Sequence, residues 1–252
     1  MQIAGAIALV TGASSGIGAA TAEALSDAGA RLIVTGRDED RLKAVAVKTS
    51  ATAFPADLSQ PGACAELVRL ALAVHGRIDL LVSNAGAGWA GAIGDLPADT
   101  ADQLVAVNFL APIHLARLLL PGMTARGSGR LVFVSSIAGA TGVRHEAVYA
   151  ATKAGLNSLA ESLRYELADT GVGISVVLPG AVSTPFFSRR GRPYTRHRGW
   201  PTPVSAGQVA SAIVAAAAHD RPVVYIPGWL HFPAWLHGMA PGPFRSLATM
   251  FG

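Results

Sequence analysis

The chain alternates between short, nearly continuous hydrophobic runs and longer stretches whose apolar residues recur at helical spacing. The runs are AIALVT (6–11), RLIVT (31–35), IDLLVS (78–83), RLVFVSS (130–136) and ISVVLP (174–179), with a weaker run, ATAF, at 51–54. Such runs are typical of strands buried on both faces of a parallel sheet. The helical stretches lie between and after them, at 16–28, 38–48, 61–75, 99–125, 148–170 and 206–219. This alternation predicts the α/β class, with a doubly wound parallel sheet flanked by helices on both faces.

We predict a single domain over residues 1–252, because no internal repeat or low-complexity linker divides the chain. The segment 185–205 is rich in Pro, Arg and Gly and is predicted to be a loop insertion before the last helix. The pattern does not assign a structure to the tail, residues 221–252, which contains five prolines and two tryptophans.

Composition excludes several classes of protein. Hydrophobic residues make up 51% of the chain and charged residues 14%, which excludes a disordered or acidic solvating protein. The single cysteine, Cys64, excludes an internal disulfide framework, and no cysteine or histidine set at ligand spacing predicts a metal site. The net charge is +4, but much of the excess lies in one segment, so we expect no nucleic-acid partner. That segment contains Arg189, Arg190, Arg192, Arg196 and Arg198.

We expect a cytoplasmic protein without a transmembrane segment. The beginning of the chain, MQIAGAIALVTG, lacks the basic region of a secretory signal. The apolar run at 209–218 is about half as long as a membrane-spanning helix needs to be. The Pro- and Trp-rich tail fits either an oligomer contact or a peripheral membrane contact, and the sequence does not choose between them.

A glycine-rich turn, TGASSGIG, follows the first predicted strand and opens the first helix. Its residues after the strand are Gly12, Ala13, Ser14, Ser15, Gly16, Ile17 and Gly18. Glycines at this junction let the backbone approach a pyrophosphate and aim the helix N-terminus at it. Because plain turns also contain glycine, the position of the motif carries the prediction of a Rossmann-like dinucleotide site.

The end of the second predicted strand indicates which dinucleotide is bound. Proteins that bind NAD usually have an acidic residue there for the ribose hydroxyls, whereas this chain has Gly36 followed by Arg37. An arginine pairs well with a 2′-phosphate, so the sequence favours NADP(H) over NAD(H). Asp38 weakens this interpretation, since a shift in register would bring its carboxylate to the same place.

Tyr149 and Lys153 lie four residues apart in VYAATKAGL, where almost nothing else is polar. Residues at this spacing are neighbours on a helix face, and a cation beside a phenol lowers the pKa of the phenol. The pair therefore suits proton transfer near neutral pH. Taken alone, it fits equally well an exposed Tyr and Lys on an amphipathic helix.

Seven segments of the chain together form a recognisable set. They are TGASSGIG (11–18), ADL (56–58), SNAG (83–86), VN (107–108), VSS (134–136), YAATK (149–153) and PG (179–180). In order and spacing they resemble the short-chain dehydrogenase/reductase superfamily. Ser83 departs from the asparagine that the family often has at this position. The resemblance implies a single Rossmann-like domain, an NAD(P)-dependent oxidoreductase acting on a small molecule, and a homodimer or homotetramer.

The resemblance also implies four catalytic residues. Tyr149 would be the acid/base that exchanges a proton with the substrate oxygen, and Lys153 would lower the Tyr149 pKa and bond the nicotinamide ribose. Ser136 would bond the substrate carbonyl or alcohol, since the family spacing matches Ser136 and not its neighbour Ser135. Asn108 would hold a water that links Lys153 to solvent.

The same resemblance implies a set of cofactor-binding residues beyond the glycine turn and Arg37. Asp57 and Leu58 would contact the adenine, and Asn84, Ala85 and Gly86 would line the adenosine side. Pro179, Gly180, Val182 and Thr184 would pack near the nicotinamide, where Tyr149 and Lys153 also bind.

Candidate substrate contacts, besides Ser136 and Tyr149, follow from their proximity to these groups. They are Trp89, His145 and Phe186, with Ala138, Val143, Ala181 and Phe187 expected in the same cleft. Most are apolar, which favours a hydrophobic ketone or secondary alcohol. His145 also fits a loop histidine bonded to backbone.

The segment 185–205 falls where the family has its substrate lid. Its arginines would either receive an acidic substrate or form a solvated loop or subunit contact.

Two alternative functions stay open. One is a reductase of 3-oxoacyl thioesters on a carrier protein or CoA. The other is a non-catalytic NADP(H)-sensing regulator, which would have no need of Asn108, Ser136, Tyr149 and Lys153 together.

Overall fold

The hydrophobic runs become strands of a parallel sheet in the computed structural model, which describes residues 1–191 and 202–251. Within those residues the main sheet has seven strands, one more than the six runs predict. In chain order the strands are β1 (Ile7–Thr11), β2 (Arg31–Thr35), β3 (Thr52–Ala53), β4 (Leu80–Ser83), β5 (Gly129–Val134), β6 (Val172–Pro179), β7 (Val182–Ser183), β8 (Val204–Ser205) and β9 (Val223–Ile226). The strands β7 and β8 form a separate two-stranded parallel ladder.

The helices alternate with the strands as the sequence pattern predicts. They are α1 (Gly16–Asp27), α2 (Glu39–Thr49), α3 (Ala63–His75), α4 (Ala98–Val105), α5 (Ala111–Ala125), α6 (Ala138–Thr141), α7 (Ala147–Glu166), α8 (Phe186–Arg189), α9 (Ala206–His219), α10 (His231–Met239) and α11 (Pro241–Phe251). Short 3₁₀ turns lie at Ile93–Asp95 and Gly228–Leu230, and a π-helical turn lies at Ala106–Leu110.

The order of strands across the sheet is β3-β2-β1-β4-β5-β6-β9, and all of them are parallel. The chain runs outward from β1 to β3 and then returns to place β4 on the other side of β1. The loops that leave β1 and β4 therefore turn in opposite directions at the carboxyl edge of the sheet. Ligands of open α/β sheets bind at such a switch point, which confirms the predicted fold class and indicates where the site lies.

The core lies on both faces of the sheet because successive strand residues point in opposite directions. Leu9 belongs to one buried cluster, together with residues of α3, α5 and α7. Its neighbours Ala8 and Val10 belong to the other cluster, with residues of α1, α2 and α9. Both faces of β1 are thus covered, which explains its unbroken apolar run.

Two predicted helices differ from those observed, and the segment 185–205, predicted to be a loop, contains α8 and β8. The helix expected at 99–125 is divided by the π-helical turn at Ala106–Leu110, and the helix expected at 148–170 ends at Glu166. The tail is ordered into β9, α10 and α11. The apolar run VVYI at 223–226 forms β9 and pairs with β6, and this signal is visible in the sequence.

By length and composition alone, one helical stretch among the described residues, Ala98–Ala125, could span a membrane. It consists of α4, the π-helical turn and α5. Within it, Leu115, Leu119 and Met123 are buried in the core cluster that includes Leu131 and Phe133 of β5. This stretch therefore forms part of the α/β core.

Candidate active site

A cavity of about 1040 Å³ opens at the carboxyl edge of the sheet, where the loops after β1, β2, β4, β5 and β6 meet. It brings together most of the residues that the sequence selects. Among them are Ser14, Arg37, Asp57, Leu58, Asn84, Ser136, Tyr149, Lys153, Pro179, Val182, Thr184, Trp89 and Phe186. Three predicted site residues, Gly18, Asn108 and His145, do not line this cavity.

The glycine turn after β1 has the shape of a cradle. Gly12 and Gly16 have positive φ values of 66° and 58°, which side chains rarely allow. A Cβ on Gly12 would lie 2.8 Å from the Cα of Ala85, so the turn approaches the end of β4 closely. A Cβ on Gly18 would lie 2.2 Å from the Gly12 carbonyl oxygen, so Gly18 packs α1 against the turn and stays behind the cavity wall.

These features fit a pyrophosphate. The first turn of α1 contains no acidic residue, and Ser15, the residue before it, does not cap the helix with its side chain. The backbone N–H groups at the start of α1 are thus available to an anion. They lie beside Ser14, Ser15 and Ile17, which line the cavity. The residues present therefore fit a dinucleotide.

The loop after β2 settles the register that the sequence left open. Gly36 and Arg37 follow β2 directly, and a Cβ on Gly36 would lie 3.0 Å from the Ser14 hydroxyl oxygen, which leaves little room for an acidic side chain there. Asp38 caps α2 by accepting a hydrogen bond from the Arg41 N–H, and its carboxylate pairs with the Arg41 guanidinium at 2.9 Å. Arg41, which sequence reasoning missed, lines the cavity together with Arg37 and Asp38. The signal was its position four residues after Arg37 at the start of a helix.

The end of β4 is fastened to the end of β1. The Thr11 hydroxyl oxygen accepts hydrogen bonds from the N–H groups of Asn84 and Ala85 at 3.0 and 2.9 Å, and the Asn84 amide donates to the Thr11 carbonyl at 2.9 Å. In the loop after β3, Asp57 accepts hydrogen bonds from the backbone N–H and the hydroxyl of Ser59. The SNAG and ADL segments thus become two fixed walls of the same end of the cavity.

Tyr149 and Lys153 lie one turn apart on α7, and both are buried. The Lys153 Nζ lies 5.8 Å from the centroid of the Tyr149 ring and donates a hydrogen bond to the Val134 carbonyl at 2.9 Å. Ser136 follows β5 by two residues, and its hydroxyl lies close enough to that of Tyr149 to favour the phenolate by hydrogen bonding. The neighbouring Ser135 hydroxyl donates instead to the Lys153 carbonyl at 3.2 Å, so it ties β5 to α7. Two hydroxyls and one ammonium therefore share one wall.

Burial controls the acidity of this pair. It raises the pKa of Tyr149 to about 12, an effect that the Ser136 hydrogen bond opposes, and it lowers the pKa of Lys153 to about 8. The expectation that Lys153 holds the Tyr149 pKa below its usual value is therefore wrong for the protein alone. The physical reason is that removing both groups from water favours their neutral forms more strongly than the ammonium favours the phenolate at this distance.

Asn108 lies in the π-helical turn and is fully buried behind the cavity wall. Its side-chain oxygen accepts a hydrogen bond from the Ala87 N–H at 2.8 Å, and its amide donates to the Ala87 carbonyl at 2.9 Å. The amide also lies 3.3 Å from the Thr152 hydroxyl, which itself donates to the Tyr149 carbonyl. Asn108 thereby links the loop after β4 to α7.

Aromatic side chains close the other end of the cavity. The Phe186 ring of α8 packs on Tyr149 with centroids 5.5 Å apart, and Phe187 meets Phe186 at 5.7 Å. Trp89, Ala138, Val143, Ala181 and Phe187 line this end too. His145 is exposed in the loop before α7, with a positive φ of 66°, and its carbonyl accepts a hydrogen bond from the Gly91 N–H. His145 therefore lies outside the cleft: its left-handed backbone forms the turn that precedes α7.

A buried ion pair that sequence reasoning missed lies beside this aromatic cluster. The Arg190 guanidinium pairs with the Glu146 carboxylate, and the two side chains are only 8% and 12% exposed. The guanidinium also lies 4.6 Å from the centroid of the Phe187 ring. Burial raises the pKa of Glu146, and Arg190 opposes that rise. Arg190 is therefore held by a carboxylate within the cavity wall. Arg189 also lines the cavity, and Arg192, Arg196 and Arg198 lie outside the described residues, as do positions 192–201 of the predicted lid.

The loop after β6 completes the cavity opposite the glycine turn. A Cβ on Gly180 would lie 2.9 Å from a methyl carbon of Leu230, and a Cβ on Gly16 would lie 3.1 Å from the Thr184 methyl carbon. Leu230, another residue that sequence reasoning missed, comes from the tail. Within residues 1–191 and 202–251, no group of three His, Cys, Asp or Glu side chains is arranged to hold a metal ion.

Comparisons with known proteins agree with this geometry. A family model described as short chain dehydrogenase matches residues 6–194. The ketoacyl reductase HetN of Nostoc sp. strain PCC 7120 is 40% identical over 184 residues, which cover 71% of this chain and 64% of HetN.

Two solved structures share the fold. A short-chain dehydrogenase from Sphingobium yanoikuyae, in complex with NADPH, is 29% identical, with a TM-score of 0.83 over 97% of this chain and 95% of that one. A short-chain dehydrogenase/reductase from Burkholderia phymatum, in complex with NAD, is 25% identical, with a TM-score of 0.85 over 95% of both chains. Because the family model spans β1 to β6, the glycine turn and every described cavity-lining residue except Leu230, the chain belongs to the short-chain dehydrogenase family and is an NAD(P)-dependent oxidoreductase.

Proposed function

We propose that the protein is an NADP(H)-dependent oxidoreductase that interconverts a carbonyl group and a secondary alcohol on a largely apolar substrate. One observation carries this proposal. The hydroxyls of Ser136 and Tyr149, with Lys153 behind them, lie in the same cavity as the glycine turn and next to an apolar wall that includes Phe186 and Trp89. A carbonyl held there would meet two hydrogen-bond donors where its negative charge develops.

The nicotinamide nucleotide, when bound, supplies or accepts the hydride. In reduction, Ser136 and Tyr149 donate hydrogen bonds to the carbonyl oxygen, and the Tyr149 proton moves to that oxygen as a C–H bond forms at the carbonyl carbon. In oxidation the phenolate of Tyr149 takes the proton back from the alcohol. Because burial raises the pKa of Tyr149 to about 12, the phenol of the free protein is protonated at neutral pH and ready to act as the acid.

Lys153, in the cavity wall, and Asn108, behind it, would support this proton transfer. With a pKa of about 8, Lys153 is mostly cationic at pH 7, and its charge favours the phenolate as that phenolate forms. We propose that Asn108, which is bonded to both main-chain groups of Ala87, fixes the loop beside Lys153. Its role in holding a relay water stays a prediction.

The choice of NADP(H) rests on the loop after β2. Arg37, Asp38 and Arg41 line this end of the cavity, and the Asp38 carboxylate is engaged by the Arg41 guanidinium and the start of α2. The Arg37 guanidinium suits a 2′-phosphate better than the hydroxyls of NAD. Family neighbours bind either nucleotide, so this preference needs its own measurement.

The experiment that tests the proposal is turnover of apolar ketones with NADPH, compared between wild type and Tyr149→Phe. We expect kcat to fall at least about 100-fold, the usual contribution of an acid/base group, with the dissociation constant for NADPH nearly unchanged. Tyr165→Phe is the matched control, since Tyr165 lies on the same helix and is 73% exposed. Undiminished turnover by Tyr149→Phe would refute the proton-donor assignment. NADPH binding without any turnover by wild type would favour the sensing regulator.

A second candidate is reduction of 3-oxoacyl thioesters, which is favoured by the 40% identity to a protein named ketoacyl reductase. Including 3-oxoacyl-CoA and a carrier-bound 3-oxoacyl thioester in the same panel separates the two. A kcat/KM for a thioester well above that of every simple ketone would establish it.

We further propose that residues 1–252 form one domain, and that the protein is cytoplasmic and assembles as a homodimer or homotetramer. The single-domain proposal is supported by the main sheet, which takes strands from Ile7 to Ile226. Light scattering on the purified protein measures the assembly state.

A further inference from the structure

The helix α10, which follows β9 in the tail, presents a row of large apolar side chains to solvent. Phe232, Trp235 and Met239 are 63%, 52% and 70% exposed, and their spacing places them on one face of the helix. The rings of Phe232 and Trp235 are 6.0 Å apart, so they form one patch. Trp229, just before the helix, is 44% exposed. We call these four residues the aromatic face; an exposed apolar cluster of this kind marks an interaction surface.

The aromatic face is adjacent to the cavity. Leu230 lies between Trp229 and α10, and its side chain lines the cavity where it packs on Gly180. The helix itself packs on α6, which contributes Ala138 to the cavity lining. Whatever covers the aromatic face therefore lies next to the apolar end of the proposed substrate site.

The elements packed against α10 add positive charge. Helix α11, which contacts α10, contains exposed Arg245, and the loop after α6, another helix that α10 contacts, adds exposed Arg144. The sequence contains no Asp or Glu in residues 221–252. A two-fold contact between copies of this chain would bring the same cations of both copies to one interface, whereas an anionic surface would neutralise them.

From this juxtaposition we propose that the aromatic face is a peripheral binding surface for an anionic lipid bilayer. The aromatic rings and Met239 enter the boundary between headgroups and acyl chains, and the arginines stay at the phosphates. An apolar substrate dissolved in the bilayer would then reach the cavity beside Leu230 over a short path. The lipid-binding proposal does not depend on the proposed reaction, because vesicle binding is measured without cofactor or substrate.

The test is sedimentation of the full-length protein with phosphatidylcholine vesicles, with and without phosphatidylglycerol. The perturbing variant is Phe232→Ser/Trp235→Ser/Met239→Ser, and the matched control is Val47→Ser, since Val47 is 76% exposed on α2, a helix that follows β2. NADPH binding and circular dichroism check that each variant folds. Quenching of tryptophan fluorescence by brominated lipid reports insertion directly.

We expect wild type and Val47→Ser to bind the anionic vesicles, to bind neutral vesicles more weakly, and to lose affinity as salt is raised. The triple variant should bind at least about tenfold more weakly, since it removes most of the inserted apolar area. Equal vesicle binding by the triple variant, or none by wild type, overturns the proposal. A wild-type dimer that dissociates in the triple variant, with no vesicle binding, would assign the aromatic face to a second copy of this chain and overturn it too.

Discussion

Replacing Lys153 by Met should stabilise the folded protein at neutral pH while it removes activity. Burial lowers the pKa of Lys153 from 10.5 to about 8, and at about 1.4 kcal/mol for each pKa unit this fall amounts to about 3 kcal/mol of destabilisation at pH 7. The methionine also leaves the Val134 carbonyl without its donor at 2.9 Å, which costs about 1 kcal/mol. We therefore expect a net gain of about 2 kcal/mol in the free energy of unfolding.

The sign of this effect must reverse with pH. Between pH 8 and 10.5 the unfolded lysine binds more protons than the folded one, so Lys153 makes wild-type stability rise through that window. Cys64 and Tyr149, whose pKa values burial raises from 9.0 to about 11 and from 10.0 to about 12, act in the opposite direction from about pH 9 upward. They are present in both proteins, so the difference between wild type and Lys153→Met isolates the lysine. Above pH 10.5 only the lost hydrogen bond remains, and the variant should be the less stable one.

Urea unfolding followed by tryptophan fluorescence at pH 7 and at pH 10.5 measures this difference. Lys43→Met is the control, since Lys43 is exposed on α2 and should change the free energy of unfolding by less than about 0.5 kcal/mol at either pH. A Lys153→Met protein that is less stable than wild type at pH 7 would refute the reasoning. A difference that does not change with pH would refute it as well, because the penalty would then not come from protonation.

Three further substitutions test the cofactor end and the substrate end of the cavity. Arg37→Ala should weaken NADPH binding about tenfold or more in a fluorescence titration and leave NADH binding nearly unchanged, whereas Lys43→Ala changes neither; equal losses for both nucleotides would contradict the 2′-phosphate assignment. Glu146→Gln removes a carboxylate that raises the Tyr149 pKa, so the alkaline pKa in the pH profile of kcat/KM should move down. Arg190→Met removes a cation that lowers the Tyr149 pKa, so the same alkaline pKa should move up. Each should also cost about 3–5 kcal/mol in urea unfolding, and the double variant less than their sum; pH profiles that move together would contradict this account.

The sheet was predictable because its strands are covered on both faces. Continuous apolar runs such as 6–11 and 78–83 leave little choice of element, and the position of the glycine turn after the first of them orients the carboxyl edge. The residues of the SNAG and YAATK segments could then be placed in one cavity without knowing any contact between them. Even the missed strand β9 has its signal in the sequence, the run VVYI.

What could not be predicted depends on contacts between distant parts of the chain. Glu146 and Arg190 are 44 positions apart in the sequence, and the local pattern around neither residue predicts their pairing. The π-helical turn at Ala106–Leu110 interrupts a pattern that is periodic throughout. His145 was expected in the cleft from its distance in sequence to Tyr149, but its positive φ turns the chain before α7 begins.

The pKa of Tyr149 shows most clearly why local spacing is not enough. The spacing of Tyr149 and Lys153 predicts attraction between a phenolate and an ammonium, which would lower the pKa of the tyrosine and raise that of the lysine. Both groups are buried, however, and burial shifts each pKa in the opposite direction. The same burial makes Lys153 and the Glu146–Arg190 pair expensive to keep in the folded protein. These charges line the cavity at the carboxyl edge of the sheet, whereas the clusters on both faces of β1 consist of hydrophobic residues. The apolar core can therefore compensate for a destabilised site, and Lys153→Met should gain stability only by losing proton transfer.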